Sequence, residues 1–276
     1  GRKGLKNAIT SLINDMVDAK EYGSIISVKT VDFKALYARF DELIHEDLNL
    51  YTPILIDTLL PLVKQAEALS QKYEVVVTNP PYIGGSGMHD KLTNFVKENY
   101  PDSKSDLFAV FMEKWISMLV PYGFNSMVTM QSWMFLTSYE ELRKKLLDSM
   151  TLWNLMHMDN MVMRIAFGTA VSIFKNVSLT DFRGTYNYIK FEDILENSLT
   201  KDEHPKEFPI KENRFSQIST DNFKKVPGTL IAYWPSAKII NSFAKTKLSE
   251  VAQPHQGVKT LNNNYFLKYW FEVSHK

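Results

Sequence analysis

Three regions with different spacings of apolar residues follow one another along the chain. Up to about residue 71, apolar residues recur every three or four positions, which predicts helices. In the second region, short apolar runs alternate with helical patterns, as they do in a sheet wound with helices. The predicted strands are 74–78, 124–130, 152–158, 170–175 and 184–191, and one helical face of the first region comprises Leu36, Phe40, Leu43, Ile44 and Leu48. This succession predicts an α/β fold.

The third region opens with a polar, charged stretch from Glu192 to Asn213, which contains Pro205 and Pro209. Such a composition is typical of a linker or a long loop. A smaller segment with aromatic and basic residues follows it. The pattern therefore predicts four parts: a helical segment at 1–72, the main sheet at 73–191, a linker or long loop at 192–228, and a C-terminal segment at 229–276.

The first predicted strand ends at Asn79, Pro80, Pro81 and Tyr82. The two proline rings fix the backbone and remove two N–H donors, so this turn is rigid and rich in acceptors. In open α/β sheets, ligands bind at the carboxyl ends of strands. The Asn79 side-chain oxygen and the Pro80 carbonyl are suited to accept both hydrogens of a ring-bound amino group, and Tyr82 is suited to stack on the ring.

These acceptors would also activate such an amino group. Its lone pair is delocalised into the ring, and two oriented hydrogen bonds draw the nitrogen towards a tetrahedral geometry and localise the pair, most strongly in the transition state. The motif therefore indicates methyl transfer to a nucleobase amino group. The alternative interpretation is a strand followed by an ordinary proline turn, with Tyr82 as a half-buried aromatic residue.

At these residues the chain resembles the N6-adenine DNA methyltransferases, whose catalytic motif is Asn-Pro-Pro-Tyr, and the resemblance is strongest to the methyltransferases of BREX-type phage-exclusion systems and Type IIG restriction-modification enzymes. It covers roughly residues 70 to 190 and implies the C-terminal half of a Rossmann-like class I methyltransferase sheet. Asp106, Leu107 and Phe108 resemble the next motif, which helps form the pocket or bind the cofactor. Phe167 resembles the aromatic residue that packs on the flipped adenine. Asp106 reads equally well as the acid at a helix N-terminus.

The resemblance implies S-adenosylmethionine as cofactor, double-stranded DNA with a flipped adenine as substrate, other defence proteins as partners, and a bacterial or archaeal cytoplasm. It makes residues 229–276 the start of a target-recognition region. There Lys259, Asn262, Asn263 and Asn264 are candidate DNA contacts, and the alternative for the asparagines is a polar turn.

The family's glycine-rich cofactor turn should precede the catalytic strand, and no such segment comes before Asn79. We therefore expect a fragment of a longer protein, inactive by itself, in which the cofactor site is incomplete. The glycines at 84–87 follow the catalytic turn and are interpreted as a loop.

Composition changes this picture little. The chain has 276 residues, 45% of them hydrophobic, and a net charge of +1, so we expect any affinity for DNA to come from local patches or from parts of a longer protein. It contains no cysteine, and its histidines lack metal-ligand spacing, so we expect no metal site. No apolar run has the length of a membrane span. Two other functions remain open: methylation of protein or RNA, and DNA recognition with an inactive site.

Overall fold

The computed structural model describes residues 2–45, 51–194, 209, 215–246, 248–253, 262, 265 and 267–269. Its N-terminal segment consists of helices α1 (Arg2–Asp15), α2 (Ala19–Tyr22), α3 (Phe33–His45) and α4 (Tyr51–Ser70). Leu36 and Phe40 are buried in the core that α1, α3 and α4 share, as the helical pattern predicts. Ile44, in contrast, is 57% exposed, and Leu48 lies outside the described residues.

A six-stranded sheet forms the main body of the molecule. Its strands are β1 (Tyr73–Thr78), β2 (Leu119–Met130), β3 (Thr151–Met158), β4 (Thr169–Lys175), β5 (Arg183–Ile189) and β6 (Phe215–Ser219). They are ordered β1-β2-β4-β3-β5-β6. β1 is parallel to β2, and β3 is parallel to β5, whereas β4 runs antiparallel to both of its neighbours and β6 runs antiparallel to β5. All five predicted strands are present.

β2 begins five residues earlier than predicted because its first part is a bulge. Leu119 pairs with Tyr73, but the next pair joins Phe124 to Val75. Tyr122, between them, has a φ of 66°, a left-handed conformation that L-residues rarely adopt. The adjacent Gly123 leaves no room for a side chain, since an added Cβ would lie 2.9 Å from the Glu74 carbonyl oxygen. After the bulge, β2 pairs regularly with β1 from Phe124 to Met127, which brings it to the carboxyl end of β1.

Three helices, α5 (Asp90–Asn99), α6 (Leu107–Ile116) and α7 (Glu140–Ser149), connect the first strands of the sheet. α6 and α7 bury apolar side chains against it: Phe108 and Leu142 are fully buried together with Trp133, Leu152 and Phe174. Burial of this kind is the main stabilising force of such a layer. None of the described helices combines the length and apolar character needed to cross a membrane.

The prediction of a linker or long loop at 192–228 is wrong for its second half. β6 pairs with β5 within the sheet, and it is followed by α8 (Asp221–Lys224). Phe223 is fully buried in the core of the sheet, and so are Ile231 and Tyr233 of the predicted C-terminal segment. The strand was missed because its sequence, Phe-Ser-Gln-Ile-Ser, is mostly polar. Two short helices, α9 (Ala237–Ser242) and α10 (Leu248–Val251), follow.

β1 is an edge strand of the described sheet. Its valines Val75 and Val77 are 58% and 73% exposed, whereas Val76 is buried. An edge strand with apolar side chains on its open face presents unpaired backbone groups to which a further strand can add.

Candidate active site

The Asn-Pro-Pro-Tyr motif lies directly after β1, at its carboxyl end. Because β1 and β2 are parallel and Thr78 pairs with Met127, the next residue of β2, Val128, lies beside Asn79. The Tyr82 hydroxyl lies 3.0 Å from Asn79 Oδ1 and 3.1 Å from the Val128 carbonyl oxygen, and these two acceptors share its single proton. Asn79 is exposed and Pro80 is buried. The motif thus leaves Asn79 exposed, with the Tyr82 hydroxyl holding the orientation of its side-chain oxygen.

The Tyr82 ring lies between two phenylalanines. It contacts Phe108 of α6 at a centroid distance of 6.2 Å and Phe167 at 5.7 Å, with interplanar angles of 86° and 74°. Both contacts are edge-to-face, a favourable arrangement for aromatic pairs. Tyr82 and Phe167 are therefore neighbours, and the family resemblance assigns both to the stacking of a flipped base. A base stacked between these two rings requires them to become roughly parallel, so binding must turn at least one ring.

Phe167 reaches this position because of the strand order. β4 lies beside β2, and its first residue, Thr169, pairs with Met130 at the end of β2. One further hydrogen bond extends the pairing of β2 with β4: the backbone N–H of Gln131 donates to the Gly168 carbonyl at 3.0 Å. Gly168 is buried, and a Cβ added there would lie 2.4 Å from the Gln131 side chain. The backbone before β4 is thus held against the end of β2, which fixes the approach of Phe167.

Asp106 holds the loop that follows the motif. It is the N-cap of α6, and its Oδ1 accepts the backbone N–H of Phe108 at 3.2 Å and of Ile83 at 3.1 Å. The Leu107 N–H donates to the Ile83 carbonyl at 3.0 Å. Burial raises the pKa of the Asp106 carboxyl, while the N–H groups of Phe108 and Ile83 act in the opposite direction. These contacts agree with the interpretation of Asp106 as the acid at a helix N-terminus. Because Asp106 holds Ile83, the residue directly after Tyr82, it also helps to position Tyr82.

The other two predicted pocket residues, Leu107 and Phe108, pack in different apolar clusters. Phe108 is fully buried and contacts Tyr82, whereas Leu107 packs in a separate cluster with Met88 and Val110. Of the C-terminal candidates, only Asn262 is described; its backbone carbonyl and its Oδ1 both accept the Tyr265 N–H at 3.1 Å, as in a local turn. Lys259, Asn263 and Asn264 lie outside the described residues.

A polar network behind Phe167 was not anticipated from the sequence. His157, near the end of β3, is buried; its Nδ1 lies 3.0 Å from the Tyr233 hydroxyl and its Nε2 lies 2.5 Å from Gln131 Oε1. Its ring stacks on Tyr188 at 4.6 Å. Burial lowers the pKa of His157 to about 4, with a smaller opposing effect from Asp159, so the ring is neutral at pH 7. The signal in the sequence was a histidine inside a mostly apolar strand.

Metal ligands are not grouped in this region. Across the part of the chain that the structure describes, no three histidine, aspartate or glutamate side chains are placed to hold a metal ion together.

Comparisons with known proteins identify the family to which the chain belongs. Residues 8–162, more than half of the chain, match the model of the Eco57I restriction-modification methylase family. The chain belongs to the Eco57I restriction-modification methylase family. This membership confirms the resemblance to restriction-modification and phage-exclusion methyltransferases.

Two relatives of this Eco57I-family chain extend the match. It is 39% identical over 263 residues to the adenine-specific methyltransferase BrxX of Escherichia coli O9:H4 (strain HS), covering 93% of this chain and 21% of BrxX. It is 33% identical over 222 residues to the adenine-specific methyltransferase PglX of Lacticaseibacillus casei (strain Zhang), covering 77% of this chain and 18% of PglX. The chain thus spans about a fifth of the length of these relatives.

Solved structures show a weaker likeness. A protein of a type I restriction-modification system aligns with a TM-score of 0.44 and 19% identity, over 61% of this chain and 39% of its own. The M protein of the type I restriction enzyme EcoKI aligns with a TM-score of 0.34 and 20% identity, over 45% of this chain and 26% of its own.

Proposed function

We propose that the protein to which this Eco57I-family chain belongs methylates N6 of adenine in double-stranded DNA, with S-adenosylmethionine as methyl donor, in a phage-defence or restriction-modification system. The observation that carries the proposal is the exposed Asn79 at the carboxyl end of β1, whose side-chain oxygen Tyr82 orients. The relatives named adenine-specific methyltransferases support the choice of adenine.

Asn79 has the capacity that the reaction needs. An amide oxygen has two lone pairs, and the Tyr82 hydroxyl uses one of them, which leaves the other for the adenine amino group. The Pro80 carbonyl would accept the second amino hydrogen. Both bonds strengthen as positive charge develops on N6, so they stabilise the transition state more than the ground state. No general base is required, because the methylated nitrogen becomes acidic and releases its proton to water.

The adenine would leave the DNA stack and lie against Tyr82, with Phe167 on its other face. Stacking on an aromatic side chain contributes about 1–3 kcal/mol per base, which helps to offset the cost of flipping the base. The edge-to-face contact between Tyr82 and Phe167 is then the resting arrangement, and the incoming base replaces it.

The described residues fit the acceptor side of the reaction and supply little for the donor. When bound, S-adenosylmethionine supplies an electrophilic methyl group. The Asp106 Oδ1, a candidate for cofactor contact, already accepts two backbone N–H groups. The open edge of β1, with exposed Val75 and Val77, is where further strands of the longer protein would add and complete the cofactor site.

The proposal is tested by substituting Asn79 in the full-length protein and measuring N6-methyladenine in its DNA. Loss of a group that stabilises developing charge typically costs 10²- to 10³-fold in rate, so Asn79→Ala should abolish detectable methylation while DNA binding persists. Asn14→Ala, at an exposed position of α1, is the matched control and should leave the rate unchanged. Methylation retained by Asn79→Ala would refute the acceptor role.

A second variant examines the orienting hydroxyl. Tyr82→Phe keeps the ring but removes the bonds to Asn79 and Val128. A hydrogen bond of this kind contributes about 0.5–1.5 kcal/mol, so we expect roughly a 2- to 12-fold lower rate with DNA affinity unchanged. A rate equal to that of the wild type would show that Asn79 needs no help from Tyr82.

A further inference from the structure

A cavity of about 490 Å³ lies at the amino ends of β1 and β2, the opposite end of these strands from the Asn-Pro-Pro-Tyr motif. Its walls come from the end of α6, the start of β2, the end of α7 and the residue after β4. Leu119, which lines it, pairs with Tyr73, six residues before Asn79. At about 3.3 Å per residue the cavity is roughly 20 Å from the catalytic motif. It is therefore a separate site.

Three lysines line this cavity, and one of them is buried. Lys114, on α6, is only 5% exposed. Among the described residues, none accepts a hydrogen bond from its ammonium group or forms an ion pair with it. Burying an unpaired ammonium is costly, and such groups in proteins are normally paired. Burial, and then the charge of Lys72, lower the pKa of Lys114.

The remaining charges do not neutralise Lys114. Lys72 donates to the Ser117 carbonyl, and Lys145 pairs with Glu113, whose other oxygen accepts the Ser103 hydroxyl at 2.7 Å. Glu113 is the only carboxylate among the described residues that line the cavity. The lining thus has a surplus of positive charge. Polar side chains of Ser27, Asn99, Ser117, Ser149 and Asn176 add hydrogen-bonding capacity.

From the unpaired Lys114 ammonium, the flanking Lys72 and the volume of the cavity, we infer a binding site for a small phosphorylated molecule. A phosphate group matches lysines as an anion with several acceptor oxygens. The volume lies within the range of 300–1,000 Å³ typical of small-molecule sites, so it has room for an organic group beside the phosphate. Ile116, Leu119, Leu142 and Leu146 offer that group an apolar wall. The site is independent of the methyl-transfer chemistry.

Calorimetric titration of the 276-residue chain with inorganic phosphate and with ADP, in a buffer free of both phosphate and sulfate, tests the site. We expect saturable binding at one site. Tenfold tighter binding of ADP would identify a nucleoside phosphate as the ligand, and equal binding would identify the phosphate group alone; either result supports the site. Absence of saturable binding with both probes would overturn it.

Variants then locate the binding. Lys114→Met should weaken it at least tenfold and should not lower the melting temperature in phosphate-free buffer, because it replaces an unpaired buried charge with an apolar chain of similar length. The matched control is Lys144→Met, on the outer face of α7, where the lysine pairs with Glu140 and Glu141. It should change the affinity less than twofold.

Undiminished binding by Lys114→Met would overturn the assignment. Should that variant fail to fold, Lys72→Met provides the same test from an exposed position of the lining, with an expected weakening of several-fold. Unchanged binding by Lys72→Met would then count against the site.

Discussion

Arg143 offers the sharpest test of how the C-terminal part is held to the sheet. This α7 residue is fully buried, and its guanidinium donates to four backbone carbonyls. Nη1 contacts Trp133 at 2.8 Å and Leu136 at 2.7 Å, Nη2 contacts Gly228 at 2.7 Å, and Nε lies 3.1 Å from both Gly228 and Thr229. One side chain thus joins α7 to the turn after β2 and to the segment after α8.

The magnitude follows from these bonds. Hydrogen bonds to a charged group contribute about 1.5–3 kcal/mol each, so four carbonyls would give roughly 6–12 kcal/mol if they were independent. They are not independent, and removing the guanidinium also removes its own desolvation cost, since burial lowers the pKa of Arg143. Breaking one partner of a buried charged network typically costs about 3–5 kcal/mol. For Arg143→Met we therefore expect a loss of about 4 kcal/mol.

Thermal unfolding of the isolated chain, followed by circular dichroism, measures this loss. At about 2–4 °C per kcal/mol for a chain of this size, the melting temperature should fall by roughly 8–16 °C. Lys144→Met, at the adjacent half-exposed position on the surface of α7, should shift it by less than 2 °C, as surface substitutions usually change stability by about 0.5 kcal/mol or less. A fall of under 3 °C for Arg143→Met would mean that the carbonyl contacts contribute almost nothing.

Two further predictions concern the network behind Phe167. Because the folded pKa of His157 is about 4, below the value of about 6.5 for an exposed histidine, the unfolded state binds more protons between these pH values; the free energy of unfolding should therefore fall as pH drops from 6.5 to 4, by roughly 3 kcal/mol. His157→Gln should remove this component from urea titrations at several pH values, and an unchanged slope would exclude His157 as its source. Gly168→Ala should cost about 1–3 kcal/mol in the same titrations because its Cβ meets the Gln131 side chain. Gly4→Ala, with open space around it in α1, should instead stabilise by about 0.5–1 kcal/mol; equal effects of the two glycine substitutions would contradict the crowding at Gly168.

Local sequence was sufficient where an element has a clear period or a rare motif. The apolar run before Asn79 predicts β1, and the prolines predict the rigid turn, because both depend on neighbouring residues alone. β6 was missed for the opposite reason. Its polar residues give no strand signal, and it forms because β5 offers an edge with which to pair.

The candidate site likewise has residues that the local sequence identifies and contacts that it does not. Asn79 and Tyr82 could be identified from the sequence because they lie within one tetrad. That the Tyr82 hydroxyl bonds to Asn79, and that Asp106 holds Ile83, depends on how β2 and α6 pack, which no local pattern encodes. The contact of Gln131 with His157 joins the residue after β2 to β3, and these two strands are not neighbours in the sheet. Such contacts follow from topology rather than from composition.

The insertion of β4 between β2 and β3 determines the order in which the site can form during synthesis. β3 leaves the ribosome before β4 but cannot join β2 through the sheet until β4 has filled the gap between them. Contacts between residues distant in sequence form slowly, because a long loop must close first. Phe167 therefore reaches Tyr82 only after residue 175 has been made and β4 has docked. Until then, the side of β2 that later pairs with β4 is an unpaired edge with apolar residues, and such an edge is prone to aggregation.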